Sequence, residues 1–369
     1  MNKPRILFIT PLPPPVHGSA MVSQYIKDCK ELQDEFECDF VNLSTSRNVD
    51  EIGKSSIMKY LRFIGAYFIT FWKLMTHRYA LCYLAITCHG MGFLKDAPFV
   101  LLCKLFRRKV VIHQHNKGMS KCVDKQPYKW LLPLVYRNTK VILLSWHLYP
   151  DIEKIVKKEQ VLICPNGIPE LFETEPNFER NNEVPHLLFL SNLIPSKGVY
   201  VLLDACKILK GKGYKFVCNF VGGESKEITK EIFEKAVEER GLNEYAIYHG
   251  PKYGEEKKIF LYNADIFVFP TYYFNECFPL VLLEAMQYKL SIITSDEGGI
   301  PDIVTSDKNG FVCKTDNAEY TANAIETLLN SKELRLLMGE NGHKMFKEKF
   351  TLDVFNKNIT TTLKSLINK

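Results

Sequence analysis

The chain has 369 residues, of which 46% are hydrophobic and 24% are charged, and its formal net charge is +6. This composition is that of an ordinary soluble globular protein, and the length predicts two domains that each bury their own core. The positive charge is modest and includes no long basic run. It permits an anionic ligand or an anionic membrane surface, and we expect no nucleic-acid partner.

Eleven cysteines are spread along the chain without a C-x-x-C pair or a Cys/His spacing typical of a metal site. Several lie in apolar segments, where a free cysteine behaves as a small hydrophobic residue. The sequence shows no secretory signal, because it runs from Met1 almost directly into a predicted strand. We therefore expect a cytoplasmic location, with peripheral association with the inner face of the membrane as an open alternative.

The chain opens with a strand, a loop and a helix. Residues 5–10 form a short apolar run, which predicts a buried parallel strand. A proline-rich loop ends at Gly18, after which one helix is predicted over residues 19–32. This order is typical of a nucleotide-binding α/β domain, although the G-x-G-x-x-G of dinucleotide-binding proteins is absent. Gly18 is either a turn residue or a point where a ligand approaches the backbone.

Residues 54–78 carry five cations and no acidic residue. The pattern predicts a helix with an apolar stripe on one face, whereas residues 59, 62, 66, 70 and 73 lie opposite that stripe. Its uncharged core, residues 63–72, is too short to cross a bilayer. Two interpretations remain open, namely binding to an anionic membrane surface and packing on the first sheet. If the helix binds a membrane, a second basic cluster at residues 104–109 would contact the same membrane surface.

Residues 110–118 predict a strand that runs into a polar loop. In an open parallel sheet, ligands gather at the carboxyl ends of the strands. His115 and Asn116 are therefore placed to contact a substrate, whereas His113 is expected inside the strand. For His115, a structural role and a functional role both remain open.

The strand–loop–helix pattern recurs about 180 residues later, after a polar segment at residues 169–185 that we interpret as a linker. Lys197 precedes the second helix, where its ammonium group can meet an anion held at the helix N-terminus. The next strand ends at Gly222, and a later one leads into a loop with Lys252. The repeat predicts two similar domains, residues 1–168 and 169–350. The C-terminal helix, residues 351–369, is predicted to complete the first domain.

Residues 275–286, with the sequence N-E-C-F-P-L-V-L-L-E-A-M, follow another predicted strand. Pro279 suits the first turn of a helix, because proline has no N–H group to leave unpaired there. Glu276 and Glu284 flank this helix start, whose free N–H groups and partial positive charge suit a phosphate. The segment predicts an anion site with two carboxylates that can accept hydrogen bonds from sugar hydroxyls. The alternative is a buried amphipathic helix with two incidental glutamates.

Three segments, in this order and at these spacings, resemble family 4 of the retaining glycosyltransferases (glycosyl transferases group 1). They are residues 192–198, 276–286 and 298–302. The likeness is specific over residues 186–315 and weaker in the first half, where it rests on Gly18 and His115. It implies an α/β fold of two tandem Rossmann-like domains facing across a cleft, the GT-B architecture, with a nucleotide-sugar donor bound mainly by the second domain.

The resemblance also implies roles for individual residues. Glu276, Lys197 and His115 would be catalytic, because they hydrogen-bond the donor sugar, neutralise the leaving diphosphate and approach the transferred sugar, respectively. Glu284 would bind the ribose hydroxyls, and the loop of Lys252 would receive the base. The remaining donor-binding candidates are Gly18, Asn192, Gly222, Cys277, Phe278, Pro279 and Leu280.

Two features bear on the mechanism that the resemblance implies. Many relatives carry arginine where this chain has Asn192, so Lys197, the helix dipole and Lys252 would have to stabilise the developing negative charge. No D-x-D occurs in the sequence, and we therefore expect no divalent metal ion and no other cofactor. The resemblance favours transfer on the same face of the sugar, with the leaving phosphate oxygen helping to accept the proton.

We therefore expect a retaining, metal-independent glycosyltransferase of the hexosyltransferase type. It would move a sugar from a nucleotide-sugar donor to a saccharide or lipid-linked saccharide acceptor in cell-surface polysaccharide or glycoconjugate synthesis. The alternatives are a nucleotide-sugar epimerase or phosphorylase of the same architecture, and a non-catalytic nucleotide-sugar-binding protein. An oxidoreductase that uses a dinucleotide is disfavoured by the missing glycine fingerprint.

Overall fold

The computed structural model of the protein describes residues 3–14, 18–44, 57–172, 174, 177–178, 180 and 182–368. The strands in these ranges are β1 (Arg5–Thr10), β2 (Glu37–Asn42), β3 (Leu81–Leu84), β4 (Val110–Gln114), β5 (Lys140–Leu143), β6 (Val161–Ile163), β7 (His186–Leu190), β8 (Val217–Val221), β9 (Ala246–Tyr248), β10 (Ile266–Phe269), β11 (Ser291–Ser295) and β12 (Gly310–Cys313). The α-helices are α1 (Gly18–Asp28), α2 (Lys30–Glu35), α3 (Ile57–Thr76), α4 (Gly90–Leu105), α5 (Tyr128–Tyr136), α6 (Val199–Gly211), α7 (Lys230–Glu239), α8 (Gly254–Asn263), α9 (Leu280–Gln287), α10 (Ala318–Leu329), α11 (Lys332–Lys349) and α12 (Leu352–Asn368).

The chain divides into two compact units. The first unit comprises residues 1–167 and 352–369, and the second comprises residues 168–351. Helix α12 therefore belongs to the first unit, where Lys364 lies 2.7 Å from Glu35. The described strands of the first unit form a parallel sheet in the order β2-β1-β3-β4-β5-β6, and those of the second in the order β12-β11-β10-β7-β8-β9. The prediction of two tandem Rossmann-like α/β domains is confirmed.

Apolar runs account for most of the strands, because a parallel sheet is covered by helices on both faces. Residues 6–9 of β1 and all four residues of β10 are buried.

The prediction of a single helix over residues 19–32 is wrong. Cys29, with an extended backbone (φ −66°, ψ 110°), separates α1 from α2. The described residues contain no disulfide bond, and none of their helices is long and apolar enough to cross a membrane.

The loop after β4 is held by the carboxylate of Asp151. One of its oxygens accepts hydrogen bonds from the backbone N–H groups of Gly118 (2.8 Å) and Met119 (3.0 Å). The other accepts from the backbone N–H (3.1 Å) and the hydroxyl group (2.7 Å) of Ser120. Asp151 is buried. Because four donors depend on one carboxylate, this residue fixes the course of the chain beyond His115.

Helix α3 contacts its own unit through the face opposite the apolar stripe. Ala66, Thr70 and Leu74 are buried, whereas Phe68 and Trp72 are exposed. The helix therefore packs within the first unit, but most of its apolar stripe faces away from that contact. Lys54, which also belongs to the predicted basic segment, lies outside the described residues.

Replacing Asp151 tests the role of its carboxylate in the loop. We expect Asp151→Ala to lower the free energy of unfolding by about 3 kcal/mol, because it leaves several buried donors without an acceptor. The matched change Asp124→Ala removes an exposed ion pair with Lys154 (2.9 Å), and we expect it to cost less than about 1 kcal/mol. Urea unfolding measures both variants, and equal losses would contradict the proposed anchor.

Candidate active site

Two neighbouring loops of the second unit meet in an ion pair. Lys197 follows β7 and Glu276 follows β10, which are adjacent strands of the sheet. The Lys197 Nζ atom lies 2.5 Å from Glu276 Oε2, and only 15% and 10% of these side chains are exposed. The Tyr272 N–H also donates to the Ser196 carbonyl oxygen at 2.8 Å, which joins the loop backbones. The structure thus brings together the two residues predicted to act on the donor.

Aromatic rings surround the ammonium group of Lys197. Its Nζ lies 4.5 Å from the ring centroid of Tyr273 and 5.5 Å from that of Phe269. Cation–π attraction of this kind offsets part of the cost of taking an ammonium group out of water. The site therefore holds an ammonium group of limited exposure beside the Glu276 carboxylate. Tyr273 was not predicted from the sequence.

Glycines let the neighbouring chain segments approach this pair. Gly198 has φ +90°, and a Cβ atom added there would lie 2.2 Å from the Pro270 carbonyl oxygen. Gly298 has φ +59°, and its added Cβ would lie 2.2 Å from the carbonyl oxygen of Glu276. The Gly299 N–H donates to the Cys277 carbonyl oxygen at 2.6 Å. Segments 276–286 and 298–302 are therefore in direct backbone contact, and the Lys197–Glu276 ion pair joins segment 192–198 to them.

Two helix N-termini begin beside the ion pair. Helix α6 starts immediately after Gly198. Helix α9 starts at Leu280, with Pro279 as its cap residue. The predicted donor-lining residues Cys277 and Phe278 are buried between Glu276 and this cap. A helix N-terminus presents free N–H groups and a partial positive charge, so this edge of the sheet is suited to an anion.

Glu284 lies in the second turn of α9, and its carboxylate is bound by a lysine that the sequence pattern does not predict. Lys257 of α8 places its Nζ 2.8 Å from both carboxylate oxygens of Glu284. Both side chains are partly exposed. The two residues are 27 positions apart, and no local pattern links them. The structure therefore adds Lys257 to the candidate residues.

Asn192 holds the glycine loop that follows β8. Its side-chain oxygen accepts a hydrogen bond from the Gly223 N–H at 3.0 Å. At Gly222 an added Cβ would lie 1.9 Å from the Ser191 carbonyl oxygen. The Tyr248 hydroxyl group donates to the Gly222 carbonyl oxygen at 2.8 Å. Asn192 and Gly222 thus pack the β7 and β8 loops together.

Lys252 lies in the loop that leads into α8. Its Nζ is 3.5 Å from Glu256 Oε1, and the adjacent Tyr253 is exposed. The Gly250 carbonyl oxygen accepts a hydrogen bond from the Gly222 N–H at 3.0 Å. This backbone contact connects the loop of Lys252 to the loop that Asn192 holds.

In the first unit, the ring of His115 packs against that of a second histidine at a tilt of 43°. The ring centroids of His115 and His113 are 4.1 Å apart, and the Tyr83 hydroxyl group lies 2.6 Å from His113 Nδ1. Burial lowers the pKa of His115 to about 4. Burial, together with the neighbouring His115, lowers the pKa of His113 well below its usual value. Both imidazoles are therefore neutral at pH 7, and His115 can act as a hydrogen-bonding group without a charge.

Gly18 opens α1 in the first unit, and residues 15–17 before it lie outside the described part of the chain. A Cβ atom added at Gly18 would meet nothing within 4 Å among the atoms described. The packing of the described residues therefore does not demand glycine here.

The described residues contain no group of three or more His, Cys, Asp or Glu side chains that could hold a metal ion.

Comparison with known proteins finds a family match for most of the second unit. Residues 172–345 match the family model described as glycosyl transferases group 1. The chain is 27% identical over 166 residues to the capsular polysaccharide biosynthesis glycosyltransferase CapM of Staphylococcus aureus, covering 45% of this chain and 42% of CapM. It is 30% identical over 244 residues to the amylovoran biosynthesis glycosyltransferase AmsK of Erwinia amylovora, covering 64% of this chain and 57% of AmsK. The chain thus spans about half the length of these relatives.

The fold also has a counterpart among solved structures. The Anabaena protein HepE in complex with UDP-glucose superposes with a TM-score of 0.72 at 16% identity, covering 98% of this chain and 99% of HepE. At that identity the likeness concerns the fold alone. The matched residues 172–345 include Lys197, Glu276 and Glu284 with the loops that hold them. Residues 172–345, which make up most of the second unit, are thus similar to the glycosyl transferases group 1 family.

Proposed function

We propose that this protein transfers a sugar, with retention of configuration, from a nucleoside-diphosphate sugar to a saccharide or lipid-linked saccharide acceptor. The observation that carries the proposal is the Lys197–Glu276 ion pair, which lies at the starts of α6 and α9. The UDP-glucose bound by HepE supports the class of donor. The names of CapM and AmsK support an acceptor in polysaccharide synthesis.

The site has the charges that such a donor needs. Departure of a nucleoside diphosphate places negative charge on its terminal phosphate, and an ammonium group and two helix N-termini stabilise that charge. The Lys197 ammonium group is bound to Glu276. A diphosphate carries more charge than one carboxylate, so we infer that Lys197 shifts toward the phosphates. Glu276 is then left to accept hydrogen bonds from sugar hydroxyls.

The reaction proposed here needs no covalent intermediate. The bond between the anomeric carbon and the diphosphate oxygen breaks, and the acceptor hydroxyl oxygen bonds to that carbon from the same face. The acceptor's proton passes to the departing phosphate oxygen. Neutral His115 would hydrogen-bond the transferred sugar. Because Lys197 and the helix dipoles offset the phosphate charge, we propose that no divalent metal ion is required.

Turnover of donor in the presence of EDTA tests the proposed reaction. With UDP-glucose as the donor probe and extracted cell-envelope saccharides as acceptors, we expect transfer that depends on acceptor and is unchanged by EDTA. Formation of sugar phosphate that depends on added inorganic phosphate would favour a phosphorylase, and isomerisation without acceptor would favour an epimerase. Loss of turnover in EDTA that Mg²⁺ restores would contradict metal independence. Failure of any nucleoside-diphosphate sugar to react would favour a non-catalytic binding protein.

The variant Glu276→Gln tests the sugar contact. It keeps the side-chain volume but removes the charge, and a hydrogen bond to a charged group contributes about 1.5–3 kcal/mol. We expect kcat to fall about 100-fold while the Kd for the nucleoside diphosphate does not rise. Glu239→Gln, which alters an exposed glutamate of α7, is the matched control. Full turnover in Glu276→Gln would remove Glu276 from the mechanism.

The variant Lys197→Met tests the phosphate contact. We expect the Kd for UDP to rise about tenfold or more and the Kd for UMP to rise less, because the charge acts on the terminal phosphate. The control is Lys212→Met, which removes a surface lysine paired with Glu326 at 2.5 Å. Calorimetric titration measures both constants. Equal losses for UDP and UMP would argue against a specific diphosphate role.

A further inference from the structure

The outward face of α3 is apolar along the whole helix. The helix has 20 residues and is therefore about 30 Å long. Its charged residues are Lys59, Arg62 and Lys73, which are only partly exposed and lie off this face. The side chains of the outward face are 47–80% exposed, and they are Ile57, Leu61, Ile64, Phe68, Trp72 and Met75. A contiguous apolar surface of this size is typical of an interaction site.

The opposite side of α3 is already packed within the first unit. Phe63 and Tyr67 contact Phe99 of α4 edge to face, with ring centroids 5.5 and 5.6 Å apart. Phe71 packs in the same way on Phe106 at 5.7 Å. Lys73 pairs with Asp39 at 2.6 Å. These contacts fix the orientation of the helix, so the outward face is not required by the core of this unit.

Net charge distinguishes the possible occupants of this face. The first unit has 27 lysines and arginines against 14 aspartates and glutamates, a net charge of +13. The second unit has 21 against 28, a net charge of −7, and the two values sum to the +6 of the chain. Exposed Arg107 directly follows Phe106, the residue that packs against α3. A second copy docked through the same face would bring two strongly positive units together, which is unfavourable.

We propose that the outward face of α3 binds the surface of an anionic lipid bilayer. The helix lies parallel to the membrane, with its apolar side chains among the upper acyl chains and the positive unit facing anionic headgroups. Trp72 and Tyr60, both exposed on α3, are residue types that favour the membrane–water interface. The proposal does not rest on sugar transfer. If both hold, the enzyme works where lipid-linked acceptors are found.

Vesicle co-sedimentation of the whole chain tests this proposal. We expect binding to phosphatidylglycerol-containing vesicles that weakens at high salt, and little binding to pure phosphatidylcholine. Leu61→Ser/Phe68→Ser should lower the partition coefficient by at least about tenfold. The control Leu336→Ser/Leu337→Ser changes two exposed leucines of α11 in the second unit and should leave binding unchanged. Equal binding by wild type and the α3 variant would overturn the proposal.

Tryptophan fluorescence gives an independent test with the outward face intact. The chain has three tryptophans, and Trp130→Phe/Trp146→Phe changes two exposed ones, leaving Trp72 as the reporter. Anionic vesicles should shift its emission to shorter wavelength, and brominated lipid should quench it. An unchanged spectrum would overturn the proposal. Light scattering gives a further contradicting outcome. If the wild type is a dimer and Leu61→Ser/Phe68→Ser is a monomer, a second copy of the chain occupies the face and the proposal is overturned.

Discussion

The ion pair between Lys197 and Glu276 depends on one constraint, namely that parallel strands direct all their carboxyl ends to the same edge of the sheet. Because β7 and β10 are neighbours, the loops that follow them must meet there, although these two residues are 79 positions apart. The glycines at 198 and 298 then allow backbone contacts that any Cβ atom would block. The fold thus brings the two charged side chains and the starts of α6 and α9 to one edge of the sheet.

Much of this arrangement could be predicted from the sequence, because a buried parallel strand reads as an apolar run and a loop glycine marks a close approach. Contacts between distant residues without a shared pattern could not be predicted. Lys257 belongs to α8, whose sequence gives no sign that it faces Glu284. Two strands were missed. β2 has only one fully buried residue, whereas all four residues of β3 are buried.

Helix α3 shows why periodicity alone does not determine orientation. The apolar stripe was correctly located, but a stripe can face either a protein core or a partner, and the sequence pattern is the same for both. Small residues such as Ala66 and Thr70 form the inward side, because they let the helix lie close to the unit. His115 is a similar case: its position was predicted, but its neutral state follows from burial against His113, which only the structure reveals.

Hydrogen exchange of the whole chain tests most directly whether the second unit holds the donor. UDP, GDP and dTDP are first compared by how far each raises the melting temperature. The nucleotide with the largest effect is then added at saturation. Amide hydrogen exchange of this complex is compared with that of the free protein. The account predicts slower exchange at residues 197–201, 277–283 and 298–300, where the two helix N-termini and the glycine loop lie. It would be contradicted if none of the three nucleotides bound, or if a bound nucleotide protected only other parts of the chain.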